Sequence, residues 1–177
     1  MSERAFNHPD RLFPPDPAVR KIARSLYERV RDLPIVSPHG HTDPSWFALD
    51  ERFPDAVDLL IKPDHYVYRM LYSQGMTMES LGVPTADGSA VETDSRKIWR
   101  CFASNYYKFA GTPSRMWLDH VFNQVFGLES PLGEDTADQY FDHINEKLAT
   151  PEFKPRALFD RYNIETLATT ESPLDSL

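Results

Sequence analysis

Cysteine is almost missing from this chain of 177 residues, in which Cys101 is the only one. An internal disulfide is therefore impossible, and such low cysteine use is typical of proteins in the reducing cytoplasm. Long apolar runs are missing too, since no stretch approaches the length that spans a membrane. Residues 1–10 are polar and have no apolar core of a secretion signal. These absences predict a cytoplasmic protein without a membrane segment.

Positive charge is in deficit, with 19 lysines and arginines against 27 aspartates and glutamates and a formal net charge of -8. This imbalance argues against general affinity for nucleic acids or anionic membranes. It does not restrict small anionic substrates, which respond to the local charge of a cleft. The apolar share of 41% and the charged share of 26% are ordinary for one globular domain.

Hydrophobic periodicity predicts two short strands, at 33–39 and 164–169, separated by a long helical region. Asp16 and Pro17 fit the N-cap and first position of a helix that precedes the first strand. Two parallel strands do not make a stable sheet with both faces covered. The chain is therefore expected to be the front part of a larger barrel, with a mainly helical domain as the alternative. Helices are predicted at 17–31, 55–61, 64–74, 89–110, 114–126, 135–148 and 155–162, with turns at 43–44, 53–54 and 171–173.

Two histidines, His39 and His41, lie at the end of the first predicted strand and are separated by Gly40. Alternation along a strand places both on one face, where they form a plausible pair of ligands for zinc or a similar divalent ion. Gly40 leaves the opposite face slim enough for a helix to pack closely. Asp43 is one candidate for a further ligand, and the missing carboxylate can equally lie beyond residue 177. The alternative is two solvent-facing histidines in a turn.

A second cluster, Asp64-His65-Tyr66 with Arg69, lies at the start of a predicted helix. His65 and Arg69 are one helical turn apart, and Tyr66 is also a neighbour of Arg69. An imidazole, a phenol and a guanidinium together suit a polyhydroxylated acid, whose carboxylate Arg69 would hold in bidentate fashion. The alternative is a capped surface helix whose tyrosines simply pack.

The end of the second predicted strand carries the hydroxyls of Thr169 and Thr170, followed by Glu171. Such groups at a strand end can line a polar site. The alternative is a strand that ends in a hydrogen-bonded turn.

Together these stretches resemble the uronate isomerase family of the amidohydrolase superfamily. Glu171-Ser172 departs from the family's usual Asp-Asp, and the usual aromatic and histidine neighbours are absent around Trp117. The matched stretches are Leu33-Pro34-Ile35-Val36 before His39-Gly40-His41, Asp64-His65-Tyr66 with Arg69 and Gly75, Gly111 and Pro113 with Trp117, and Thr169-Thr170 with Pro173, Asp175 and Leu177.

The resemblance implies an α/β fold, the N-terminal portion of a TIM-type (β/α)8 barrel with a large helical insertion after strand 1. Residues 1–42 would hold the lead-in, the first helix and barrel strand 1. Residues 43–162 would form the insertion, and residues 163–177 would form barrel strand 2 and its terminal turn.

The resemblance also implies an aldose–ketose isomerase that interconverts D-glucuronate with D-fructuronate and D-galacturonate with D-tagaturonate. It implies a divalent metal, with zinc favoured, a hexuronate as the binding partner and a homo-oligomer, but no nucleic acid and no membrane. Carried over residue by residue, the site comprises the metal ligands His39 and His41, the catalytic residues His65 and Tyr66, and the substrate-binding residues Arg69 and Thr170.

Two other functions are compatible with these motifs. One is a metal-dependent hydrolase of the same superfamily, which a second metal bridged by a carboxylated lysine would favour; no candidate lysine lies at a predicted strand end. The other is a non-catalytic helical interaction domain, in which alanine at His39 or His41 would change neither metal content nor activity.

Overall fold

The computed structural model describes residues 7–170 and divides them into two compact units. The predicted turn at 171–173 lies outside the described residues. The first unit, called the helical unit, comprises Asn7 and Phe53–Thr150. The second, called the strand unit, comprises His8–Arg52 and the chain from Pro151 onward. It contains both strands. In the sequence, one of its two parts precedes Phe53–Thr150 of the helical unit and the other follows it.

The helical unit is built from short helices around an aromatic core. Its largest fully buried side chains include Trp99, Phe102, Tyr106, Phe122 and Tyr140. Within the described residues, its helices are α3 (Ala56–Leu60), α4 (His65–Ser73), α5 (Ser95–Ser104), α6 (Pro113–His120) and α7 (Ala137–Leu148), with 3-10 turns at Glu79–Leu81, Tyr106–Phe109 and Glu134–Thr136 and a π turn at Val121–Val125.

Helix α5 is shorter than the helix predicted over 89–110. It begins only after Asp94, whose carboxylate accepts the N–H of Lys97 at 3.2 Å and so acts as the N-cap. Just before it, Glu92 accepts the N–H groups of Thr93 and Asp94 with one carboxylate oxygen, each at 3.0 Å. These side-chain bonds hold the backbone outside the helix, because they take the place of helical hydrogen bonds.

A partly buried polar network lies beside the aromatic core. The Tyr106 hydroxyl donates to one oxygen of Asp119 at 2.9 Å, and Arg115 donates to the other at 2.8 Å. The Arg115 guanidinium also lies 4.0 Å from the centre of the Tyr106 ring. Burial and the nearby Asp119 charge both raise the pKa of Tyr106, so the phenol remains a hydrogen-bond donor.

The strand unit has a two-stranded parallel sheet. Ile35 pairs with Ile164 at one end and Gly40 with Thr169 at the other. The register shifts between Ser37 and Gly40, where Pro38 has no N–H to give to the ladder. The elements of this unit are α1 (Pro17–Tyr27), β1 (Ile35–Gly40), α2 (Pro44–Leu49), α8 (Pro155–Arg161) and β2 (Ile164–Thr169), with a 3-10 turn at Pro151–Phe153.

Helix α2 directly follows the two histidines, where a turn was predicted at 43–44. Asp43 is its N-cap and accepts the N–H of Ser45 at 2.8 Å, with proline at the first helical position. At the other end, the Arg156 guanidinium donates to the carbonyls of Phe47 and Ala48 at 2.7 and 2.9 Å. Both ends of α2 are therefore fixed by side chains, which anchors the chain just beyond His41.

Few apolar side chains of the strand unit are removed from solvent. Among its described residues, Phe153 is the one non-proline hydrophobic side chain that is buried, whereas the large apolar residues of α1 are exposed. Within residues 7–170, no helix has both the length and the apolar character that a membrane crossing needs.

Candidate functional site

The predicted metal pair lies at the C-terminal end of β1. The Nε2 atoms of His39 and His41 are 3.0 Å apart, and both side chains are exposed. Their rings meet edge to face, with centroids 4.9 Å apart. At this separation one ring nitrogen donates a hydrogen bond to the other, and the tautomer of each ring decides which is the donor. The structure therefore brings the two histidines together, as alternation along the strand predicts.

This geometry fits two ligands of one divalent cation. Two nitrogens that bind a tetrahedral zinc ion at its usual bond length are about 3.3 Å apart. A small opening of the 3.0 Å separation between the Nε2 atoms of His39 and His41 would therefore suffice. Catalytic zinc sites use about three protein ligands, and no group of three candidate ligands occurs among residues 7–170. These residues can supply part of a metal site.

Asp43 is committed to the backbone of α2. Its carboxylate caps the helix, and the hydrogen bonds from Ser45 lower the pKa of Asp43. Thr42, between His41 and Asp43, buries its hydroxyl oxygen without a hydrogen-bond partner in the described part of the chain. Thr42 was not predicted as a site residue, because a single threonine after a His-x-His pattern carries no signal of its own.

Gly40 lies against the neighbouring strand, whereas the sequence suggested that a helix would pack there. A Cβ atom at this position would meet the carbonyl oxygen of Ala168 at 2.9 Å and the Leu167 side chain at 3.1 Å. The first contact is with backbone, so β2 itself would have to move. The absence of a side chain at Gly40 therefore allows the two strands to approach closely beside the histidines.

Replacing Gly40 by alanine is expected to weaken the pairing of β1 with β2 by about 1–3 kcal/mol, the usual cost of overpacking. Native-state hydrogen exchange at the amides of Leu167 and Thr169 should become about tenfold faster. Gly133→Ala is the matched control, because a Cβ atom there meets nothing within 4 Å. Equal exchange rates in the two variants would contradict the steric role of Gly40.

Helix α4 carries the predicted catalytic and arginine residues. Asp64 caps it by accepting the N–H of Tyr66 at 2.8 Å, as predicted. Val67 and Leu71 are fully buried and anchor one side of the helix in the helical unit. This leaves the opposite side of α4 available for contacts with a ligand.

The predicted residues on α4 differ in exposure. Tyr66 is 67% exposed, and its ring lies against the half-buried His65 ring, with centroids 4.1 Å apart and the ring planes inclined at 36°. Arg69 is exposed and follows His65 by one helical turn. Most of the Tyr66 side chain is in solvent, whereas Tyr68 is half-buried.

Thr170 follows β2 directly and is exposed. Gly40 pairs with Thr169 in the parallel sheet, so the residues that follow each, His41 and Thr170, leave the sheet at the same end. The structure thus groups His39, His41 and Thr170 at one end of the strands. His65, Tyr66 and Arg69 belong to the helical unit.

Comparison with known proteins gives the relatives of this chain. The model of the glucuronate isomerase family matches residues 18–177. The uronate isomerase of Phenylobacterium zucineum is 62% identical over 170 residues, which are 96% of this chain and 35% of that protein.

Two solved structures are similar in fold as well. The crystal structure of glucuronate isomerase from Caulobacter crescentus superposes with a TM-score of 0.92 at 60% identity, covering 98% of this chain and 36% of that one. The uronate isomerase structure from Thermotoga maritima gives a TM-score of 0.77 at 26% identity, covering 88% and 32%.

The chain therefore spans about a third of the length of the relatives it matches, and the family match covers nearly all of its own residues. The protein has the mixed helix and strand content predicted from its sequence. This chain belongs to the glucuronate isomerase family.

Proposed function

We propose that this chain contributes part of the active site of a uronate isomerase, an enzyme that interconverts D-glucuronate with D-fructuronate and D-galacturonate with D-tagaturonate. The observation that carries the proposal is the pair of Nε2 atoms, 3.0 Å apart, of His39 and His41 at a strand end. In barrel enzymes, the C-terminal ends of the strands are where active sites lie. Membership of the glucuronate isomerase family supports this reading.

His39 and His41 are the residues that would hold a divalent cation, with zinc favoured by two nitrogen ligands. A cation bound there would polarise or orient the substrate oxygens during the reaction. The near contact of the two rings means that little rearrangement is needed for both nitrogens to face one ion. Thr170, at the same end of the sheet, is proposed to bind a substrate hydroxyl or carboxylate.

The isomerisation itself moves a proton between C2 and C1 while the carbonyl changes place. A positioned base and acid are required for that transfer. His65 and Tyr66 are proposed for these roles or for direct contact with the substrate, and their ring centroids lie 4.1 Å apart. Arg69 is proposed to bind the hexuronate carboxylate, since a guanidinium matches its two oxygens.

The architecture proposed for the complete enzyme is a (β/α)8 barrel, to which residues 1–42 and 163–177 contribute the first two strands and residues 43–162 a helical insertion. The parallel pairing of β1 with β2 supports this proposal. We further propose that the complete enzyme is a cytoplasmic homo-oligomer that binds a hexuronate and binds neither nucleic acid nor membrane. The single cysteine and the net charge of -8 support that setting.

The two alternative functions lack support of this kind. A hydrolase with a carboxylated lysine needs that lysine at a strand end, and in the described part of the chain neither strand is followed by one. A non-catalytic interaction domain gives no reason for the geometry of the histidine pair.

The function is tested with a chimera in which residues 1–177 replace the matching part of the Phenylobacterium zucineum uronate isomerase. This protein, called the isomerase chimera, is expected to form ketouronates from D-glucuronate, D-galacturonate or both. The parent enzyme, assayed in parallel, is the positive control. A folded chimera that converts neither sugar would overturn the isomerase assignment.

A further inference from the structure

Strand β1 carries a β-bulge at the histidine pair. Between the ladder pairs formed by Ser37 and by Gly40, β1 has two residues, Pro38 and His39, whereas β2 has one, Ala168. Two residues opposite one define a bulge, a feature that is rare in parallel strands and over-represented beside active sites. One histidine of the pair therefore lies within the irregular part of the strand, and the other follows it.

The effect of the bulge is local. An opposite shift, in which β2 has the extra residue, lies directly after Ile35. The two shifts cancel, so Gly40 and Thr169 stand in the same register as Ile35 and Ile164. The bulge thus redirects residues 38–39 without displacing the end of the sheet.

Pro38 and Ser37 explain why the strand bulges at this point. Pro38 has no N–H to give to the ladder. The Ser37 hydroxyl donates to the carbonyl oxygen of His39 at 3.2 Å. Two residues of a regular strand advance by about 6.6 Å, which is farther than the short serine side chain reaches. This hydrogen bond therefore requires a bent backbone.

The two histidines are held by different parts of the structure. His41 follows Gly40, which pairs with β2, and precedes the N-cap of α2 at Asp43. His39 lies in the bulge, where the pairing with β2 is interrupted. The bond from Ser37 fixes the backbone of His39, and the backbone restricts the directions that its side chain can take.

We infer that Ser37 is a positioning residue of the histidine pair. Its hydroxyl holds the bulge in the shape that brings the Nε2 atom of His39 to 3.0 Å from that of His41. A ligand that is fixed beforehand favours metal binding, because less ordering remains when the ion arrives. The inference rests on the proposed function for the metal ion, but the approach of the two rings is measurable without it.

A purely structural role of Ser37 is the competing explanation. In that case the hydroxyl would stabilise the sheet, and its loss would lower the thermal midpoint. The position of the bond favours the positioning role, because it joins two residues of one strand and does not cross to β2. Its acceptor also belongs to a residue that carries a candidate ligand, His39.

The test uses the chain of 177 residues with single substitutions. Ser37→Ala removes the hydroxyl, and Ser37→Thr keeps it on a residue that suits strands. Ser25→Ala is the matched control, because it removes the hydroxyl of an exposed serine of α1 in the same unit. Nitrogen NMR spectra of the imidazoles report their tautomers and hydrogen bonds, titration with zinc chloride gives the zinc Kd, and circular dichroism gives the thermal midpoint.

In the parent chain, the ring-nitrogen signals of His39 and His41 should show the hydrogen bond between their Nε2 atoms. Ser37→Ala should shift these signals toward those of a free histidine side chain. It should also raise the zinc Kd about tenfold, the lower end of the effect of losing a group that supports a ligand. Ser37→Thr and Ser25→Ala should keep the parent spectra and a Kd within about twofold, and all midpoints should agree within about 2 °C.

Unchanged ring signals in Ser37→Ala would overturn the inference, and so would an unchanged zinc Kd. A Ser37→Thr variant that behaves like Ser37→Ala would overturn it as well, because the hydroxyl would then not be responsible. A midpoint lowered by more than about 5 °C in Ser37→Ala would assign Ser37 to the stability of the sheet instead. A parent chain that binds no zinc would reject the metal site of the proposed function, whereas the ring signals would still decide whether Ser37 positions the pair.

Discussion

Alanine at His39 or at His41 is expected to lower kcat/KM of the isomerase chimera for D-glucuronate by more than about 100-fold. Loss of residues that merely support a metal ligand typically costs 10–100-fold, so loss of a ligand itself should cost more. Each substitution removes one of two nitrogens that lie 3.0 Å apart, and a single imidazole cannot chelate. Ketouronate formation gives the rate, and elemental analysis of the purified protein gives its zinc content.

His8→Ala is the control for this experiment. His8 is an exposed histidine of the same strand unit, and its Nδ1 accepts the N–H of Asp10 at 3.1 Å. Its loss should change kcat/KM and zinc content less than about twofold, because surface substitutions have small effects. Unchanged zinc content in the His39 and His41 variants would contradict the metal-binding role of the pair.

Alanine at Trp99 is expected to destabilise the helical unit by about 3–5 kcal/mol, the usual cost of removing a buried aromatic side chain. Trp99 has no exposed surface, and its ring contacts Phe102, Phe122 and Phe141 at centroid distances of 5.4, 6.2 and 6.2 Å. Its indole N–H also donates to the carbonyl of Ala137 at 2.8 Å, and the substitution removes this buried hydrogen bond. Urea unfolding followed by far-ultraviolet circular dichroism measures the change.

Tyr107→Ala provides the comparison, because this aromatic residue follows the same helix but is 68% exposed. Its free energy of unfolding should stay within about 0.5 kcal/mol of the parent. Trp99→Phe should lie between the two, since it keeps a ring in the cluster but loses the hydrogen bond to Ala137. A cost below about 1 kcal/mol for Trp99→Ala would show that the aromatic cluster is not the core of this unit.

The starts of helices were predictable from the sequence where an N-cap residue precedes the helix. Asp16 before Pro17 and Asp64 before His65 both cap helices at the predicted positions. The same Asp-Pro signal occurs at 43–44, but this pair is equally typical of a turn, so the sequence predicts a turn where the structure has α2. Its six residues provide too few apolar positions for a periodic pattern, and the cap from Arg156 is more than a hundred residues away in sequence.

Part of the candidate site was also predictable from the sequence. Side-chain alternation on a strand predicted that His39 and His41 would meet, and their Nε2 atoms do. The role of Gly40 was not predictable, because its neighbour in space is Ala168, which local sequence does not reveal. That the hydroxyl of Thr42 is buried without a partner among residues 7–170 depends likewise on how the fold excludes solvent. Roles for His65, Tyr66, Arg69 and Thr170 stay predictions.

The pairing of Ile35 with Ile164 has a consequence for synthesis on the ribosome. About 130 residues separate the partners, so closing this loop carries a larger entropic cost than any contact inside the helical unit. At typical translation rates, β1 leaves the exit tunnel on the order of ten seconds before β2. During that interval the apolar strand β1 has no pairing partner. This makes β1 a natural target for chaperones and the point at which aggregation would begin.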